Sequence, residues 1–157
     1  MKIISIDPSI ANIGYAIYET EDHKLVLGTI HTKTNHSIEE RIRYICQEIC
    51  KLIYEHRPRQ AVIEKIPEYS RKRYNGVSVN HGSLMRLHRA VGAIQAIFIN
   101  AEIPIYMSPV LRSTKQIQRL NAIDICKDAA KASEHARAAL IHLEKYLKQK
   151  RISHGVH

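Results

Sequence analysis

Lys2-Ile3-Ile4-Ser5-Ile6-Asp7, followed by Pro8-Ser9 and Asn12, is the stretch on which the fold turns. Three isoleucines around a serine form a β-branched run that ends in an acid, and the residues after it are turn formers. The stretch reads as a strand and a turn. Ile13 to Glu19 reads as a second strand and Lys24 to Thr32 as a third, so the chain opens as a meander.

Beyond the meander the apolar spacing changes. Ser37 with Glu40 three residues on is a capping box, and Ile38, Ile42, Ile45, Ile49, Leu52 and Ile53 share one helical face. Pro58 ends that helix. Gln60 to Glu64 is a short apolar strand that again ends in an acid. Lys65 to His81 has no apolar period and reads as a long exposed loop. A helix from about Ser83 to Ala101 follows, with Leu84, Leu87, Val91, Ile94 and Phe98 beside small residues; such a stripe packs on a sheet or on a copy of itself. Ile103 to Met107 is a fifth strand, a short helix carries Arg112 and Lys115, and Ser133 caps a last helix that runs to about Lys150. The order β-β-β-α-β-α-β-α-α implies a mixed α/β sheet with helices on both faces. A single domain over 1–151 is expected, with 152–157 a flexible basic tail.

The 157 residues carry 24 Lys plus Arg against 15 Asp plus Glu, a net charge of +9 with histidine neutral. That excess points to a polyanionic partner, nucleic acid before an acidic membrane surface. No apolar run approaches the roughly 18 residues of a membrane span. Asp7 comes too early for a signal peptide, so a cytoplasmic location is expected. Three cysteines suit a reducing compartment. Cys46 and Cys50, four apart on a helix, read as small core residues rather than a metal pair.

Asp7 closes the first strand and Glu64 the fourth, and the carboxyl ends of strands are where sites form in open α/β sheets. Each acid alone equally suits capping of the element that follows. Together, in a basic protein, they favour function. Neighbouring carboxylates repel unless a cation sits between them, and oxygen donors suit Mg²⁺. Mg²⁺ in turn suits phosphodiester chemistry.

Ile4-Ser-Ile-Asp7-Pro-Ser9 with Gly14-Tyr-Ala-Ile17, Ala61-Val-Ile-Glu64-Lys, Leu84 to Ala96 with Arg89-Ala-Val-Gly92-Ala-Ile inside it, and Ile103-Pro-Ile-Tyr-Met-Ser-Pro109 follow one another in order. This set resembles the RuvC-type Holliday junction resolvases, and the short chain looks like their phage or viral branch. The resemblance implies an RNase H-like fold: a five-stranded mixed sheet with three antiparallel strands, flanked by helices. It implies a homodimer that binds four-way and other branched DNA and nicks two strands of like polarity with two Mg²⁺ per site, Mn²⁺ substituting. Of the family's four metal positions, Asp7 and Glu64 match the first two. The other two stand three apart on the last helix, as Asp-x-x-Asp or His-x-x-Asp. His135 matches the third, and Ala138 stands where an acid is expected, so impaired catalysis is expected. Asp124, Asp128 and Glu134 are the acids of alternative registers, although Asp128-Ala-Ala-Lys131 ends in Lys and Glu134 points about 100° away from His135.

For DNA, Arg71, Lys72 and Arg73 between Tyr69 and Tyr74 offer phosphate neutralisation and rings for stacking at a branch point. A merely solvated charge run is the plainer reading of the same residues. Arg86 and Arg89 extend the basic face, and Arg112 and Lys115 form another phosphate patch. Two other classes compete. A nucleic-acid-binding module without chemistry is consistent with Ala138. An actin-like phosphotransferase shares the Asp-to-Gly spacing of Asp7 and Gly14, but needs glycine-rich phosphate loops, and the chain has six Gly in all.

Overall fold

The computed structural model describes residues 1–66, 81–110 and 132–154. Its elements run β1 (Lys2–Asp7), β2 (Asn12–Glu19), β3 (Lys24–His31), α1 (Ile38–His56), β4 (Gln60–Glu64), α2 (His81–Asn100), β5 (Ile105–Ser108) and α3 (Glu134–His154). The five strands form one sheet in the order β3-β2-β1-β4-β5. β1, β2 and β3 pair antiparallel through short turns, while β4 joins β1 in parallel and β5 joins β4 in parallel. Parallel neighbours need a crossover, and α2 lies on the one between β4 and β5, while α1 carries the chain from the edge strand β3 back to β4 beside β1.

Local chemistry sets the ends of α1. Ser37 Oγ accepts from the Glu40 amide at 3.2 Å, and Glu40 Oε2 accepts from the Ser37 amide at 2.8 Å. At the other end Arg57 is left-handed, with φ of 49°, and its N–H returns to the Ile53 carbonyl before Pro58 prevents continuation.

Strand alternation divides the core. Ile4 and Ile6 of β1, Ile13 and Ile17 of β2, and Ala61 and Ile63 of β4 pack under Ile45, Ile49 and Leu52 of α1 and Val91, Ile94 and Phe98 of α2. The opposite parity places Ile3, Ala16, Tyr18 and Val62 against Ala139, Leu140, Leu143 and Tyr146 of α3. β1 is therefore covered on both faces, which is why its sequence is almost continuously apolar.

Several boundaries differ from the sequence reading. β5 starts at Ile105 rather than Ile103, because the Ile103 amide is taken by the Phe98 carbonyl at 2.9 Å as the chain wraps the end of α2. α3 continues to His154, past Lys150, with no Gly or Pro before Gly155 to stop it. Cys46 is only half-buried and Cys50 is exposed, since the core face of α1 runs through Ile45, Ile49 and Leu52 and leaves both thiols to its side. The stripe on α2 packs inward. Its outer face shows Met85, Gly92, Ala96 and Ile99, with Ile99 66% exposed. Among the described residues, no helix is long and apolar enough to cross a membrane.

Candidate active site

One row of residues crosses the sheet on the face covered by α3. Asp7 of β1 is paired with Gly14 of β2, and Glu64 of β4 with Ser108 of β5. Ile6 is paired with Ile63, so Asp7 and Glu64 are the next step along neighbouring parallel strands. The row Gly14, Asp7, Glu64, Ser108 lies at the carboxyl ends of β1, β4 and β5. Side chains of equal parity share a face, so both acids and Ser108 point toward α3.

Gly14 lets the helix come down onto this row. A Cβ there would overlap the backbone carbonyl of His135 and the amide of Ala136. Any side chain would hold the first turn of α3 away from the sheet. Ser133 Oγ accepts from the Ala136 amide at 3.1 Å and fixes where that turn begins. His135, Ala138 and His142 then follow at helical spacing on one face. Seven residues of helix rise about 10 Å, and two strand spacings measure about 9.5 Å. One histidine accordingly reaches Asp7 and the other reaches Glu64 and Ser108.

His135 Nδ1 donates to Asp7 Oδ2 at 2.8 Å. His142 Nδ1 lies 2.7 Å from Ser108 Oγ, and its Nε2 lies 3.6 Å from Glu64 Oε1. The Asp7 side chain is only 12% exposed. Burial pushes its carboxyl up to about 6 from 3.8, the hydrogen bond from His135 opposes this, and the Glu64 charge adds to it. A buried acid beside a second acid is poised to release its proton to a cation. Donor atoms of Asp7, Glu64 and His142 all lie within 4.8 Å of one another, the one such cluster found among the described residues. Two carboxylates and an imidazole suit a divalent cation, and His142 Nε2 is a buried polar atom without a hydrogen-bond partner at the same spot. The donor set fits a metal.

Of the residues expected at the site, Asp7 and Glu64 converge and His135 meets Asp7; the third member of the cluster around the two acids is His142, not His135. Ala138 is buried on the same face of α3 and brings no donor. Glu134 is exposed at the start of α3. Arg86 is exposed, and Arg89 Nη2 is paired with Glu39 Oε1 of α1 at 2.8 Å. Tyr69, Arg71, Lys72, Arg73, Tyr74, Arg112 and Lys115, with the alternative acids Asp124 and Asp128, lie outside the described residues. Sequence reasoning missed Ser108 and His142. Ser108 ends a parallel strand as Asp7 and Glu64 do, and His142 stands two helical turns from His135. Both signals were present in the sequence.

A five-stranded mixed sheet with three antiparallel strands, flanked by helices and carrying acids at the ends of its two central parallel strands, defines the RNase H-like fold. Within that fold the chain belongs to the RuvC family: the family model described as "Crossover junction endodeoxyribonuclease RuvC" matches residues 3–117. The match includes Asp7 and Glu64 and stops before α3. A protein of that name from Ralstonia pickettii is 29% identical over 109 residues, covering 68% of this chain and 55% of the relative. One from Dechloromonas aromatica is 30% identical over 118 residues, covering 73% and 60%. The chain therefore spans little more than half the length of the curated relatives it matches. A Thermus thermophilus RuvC solved in complex with a Holliday junction substrate superposes with a TM-score of 0.64 at 18% identity, covering 90% of each chain. The fowlpox virus Holliday junction resolvase gives 0.57 at 14% identity, covering 95% of this chain and 99% of that one.

Proposed function

We propose that this chain is a structure-selective DNA endonuclease that resolves four-way junctions by paired, metal-dependent nicks. The observation that carries it is the convergence of Asp7 and Glu64, from adjacent parallel strands, beneath α3. Family membership and a net charge of +9 support the same substrate. A DNA substrate also fits a cytoplasmic place of action.

Asp7 is the shared element, with Glu64 on one side and His135 on the other. Asp7, Glu64 and His135 would hold the catalytic Mg²⁺ or Mn²⁺, two ions per site being the expected complement. A bound divalent cation supplies Lewis acidity for activating water and for the charge that develops on the departing oxygen. The chain's own part is orientation. The His135 hydrogen bond fixes the Asp7 carboxylate, and burial beneath α3 keeps bulk water from competing for the two acids. Ala138 leaves the His135 side short of one acid, which predicts slow cleavage with DNA binding intact. Arg71, Lys72 and Arg73 provide the phosphate contacts, with Arg86, Arg89, Arg112 and Lys115 as further contacts, while Tyr69 and Tyr74 stack at the branch point. The exposed face of α2 through Met85, Gly92, Ala96 and Ile99 pairs two copies into a homodimer, which sets two sites at fixed spacing.

The test is a nicking assay on a synthetic four-way junction with Mg²⁺ or Mn²⁺, using Asp7→Asn as control. Symmetric nicks that vanish in the control support the proposal. Junction binding with no nicks under either metal would instead identify a non-catalytic binding module.

A further inference from the structure

His142 is fully buried, at 0% exposure, and faces the row that carries Glu64 and Ser108. An imidazole in a core is unfavourable unless both ring nitrogens are met. Nδ1 is met by Ser108 Oγ. Nε2 makes no hydrogen bond, and at 3.6 Å from Glu64 Oε1 it stands beyond hydrogen-bond length. The ring is anchored by one nitrogen and aims the other at a carboxylate it does not bond.

That spacing has a chemical meaning. Two donors that share one cation, each about 2.0–2.2 Å from it, stand about 2.8–3.6 Å apart when they subtend about 90–110°. The gap between Nε2 and Oε1 falls at the upper end of this range, and Asp7 completes the cluster. With Nδ1–H donated to Ser108 Oγ, Nε2 keeps its lone pair, the form in which histidine ligates, and a fixed partner on the other nitrogen is how ligating histidines are held.

We infer that His142 is a nitrogen ligand of the divalent cation held by Asp7 and Glu64, so that this site takes a transition-metal cation such as Mn²⁺ in preference to Mg²⁺. The inference rests on the reading of the two acids as a metal site. Imidazole suits transition-metal cations, whereas Mg²⁺ favours an all-oxygen shell. His142 also lies beyond residues 3–117, which the family model matches. α3 lacks an acid at Ala138 and instead presents a donor one turn further along the same face.

The experiment measures Mn²⁺ and Mg²⁺ binding to the full chain without DNA, with ¹⁴N couplings to bound Mn²⁺ read by pulsed EPR. Mn²⁺ should bind tighter than Mg²⁺ by about tenfold or more. His142→Leu should remove a nitrogen coupling and weaken Mn²⁺ by about 10- to 100-fold, while Mg²⁺ affinity changes little. His135→Leu should leave the His142 coupling in place. Ser108→Ala, which keeps the strand backbone, should weaken Mn²⁺ in the same direction and stands in if His142→Leu does not fold. Unchanged couplings in His142→Leu would overturn the inference. So would Mn²⁺ bound as tightly or more tightly without the ring, which would make His142 a charged partner of Glu64, or no Mn²⁺ binding at all. Cleavage is not part of the readout. A chain that ligates Mn²⁺ through His142 yet never nicks junctions defeats the proposed activity alone. A chain that nicks with Mg²⁺ and shows no His142 coupling defeats this inference alone.

Discussion

Replacing Asp7 by Asn should stabilise the metal-free protein at neutral pH, and the gain should disappear in acid. Folding takes the Asp7 carboxyl out of water and raises it from 3.8 to about 6. The folded state then holds the proton more tightly than the unfolded chain, so stability falls as pH rises from about 4 to about 6 and the penalty is complete above that. A rise of that size corresponds to about 3 kcal/mol. Asn carries no charge to desolvate and keeps an oxygen that accepts from His135 Nδ1. Weakening that charge-assisted bond takes back about 1 kcal/mol. The net gain for Asp7→Asn is then about 2 kcal/mol at pH 8. Urea denaturation in EDTA, run from pH 4 to pH 8 on both proteins, measures it. The gap should close as pH falls through 6 and be gone or reversed near 4. Adding Mn²⁺ should reverse the order at pH 8, since the cation binds the folded wild type and not the variant. A variant less stable than wild type by the same amount at every pH would refute the reasoning, because Asp7 would then be a structural acid and not one held at a disadvantage for a ligand.

Gly14→Ala should lower stability by about 1–3 kcal/mol and weaken metal binding together, since it lifts the first turn of α3 from the sheet; thermal unfolding and a Mn²⁺ titration on one preparation check both. Ala138→Asp should raise nicking above that of the chain with Ala138 at equal junction occupancy, and adding Asp7→Asn should abolish the gain. If Asp128→Ala or Glu134→Ala stops cleavage and Ala138→Asp does nothing, the register assigned to α3 is wrong. Changing Arg71, Lys72 and Arg73 to Ala should flatten the log–log salt dependence of junction binding by nearly three units, at about 0.9 per phosphate contact; an unchanged slope removes these residues from the interface. Ile99→Asp should turn a dimer into an ~18 kDa species in sedimentation, and a wild type already monomeric at micromolar concentration would count against the α2 face.

Local and periodic features were legible in the sequence. The capping box at Ser37 and Glu40 spans four residues and needs no partner. The bounds of β1 and β4 follow from β-branched runs that end in acids, and the face of α1 follows from a repeat that only a helix satisfies. Asp7 and Glu64 stood out because an ionisable group at the end of an apolar strand has no place in a core. Strand alternation puts Asp7, Glu64 and Ser108 on the face away from the α1 core, but that shared face follows only once the strands are paired, and Ser108 was not singled out before then. What the sequence does not contain is the lateral order of the strands or where along its length α3 meets them. Those depend on parallel pairing across separations of 57 residues (β1 with β4) and 44 residues (β4 with β5), and on Gly14 admitting the helix backbone at His135. Only that contact sets the register in which His135 reaches Asp7 while His142, unremarkable as a letter in an apolar run, arrives buried between Glu64 and Ser108. A one-residue slip of α3 would turn both rings about 100° away from the acids. The site's donors are written in the chain, but their meeting is a property of packing, because no local interaction links positions so far apart.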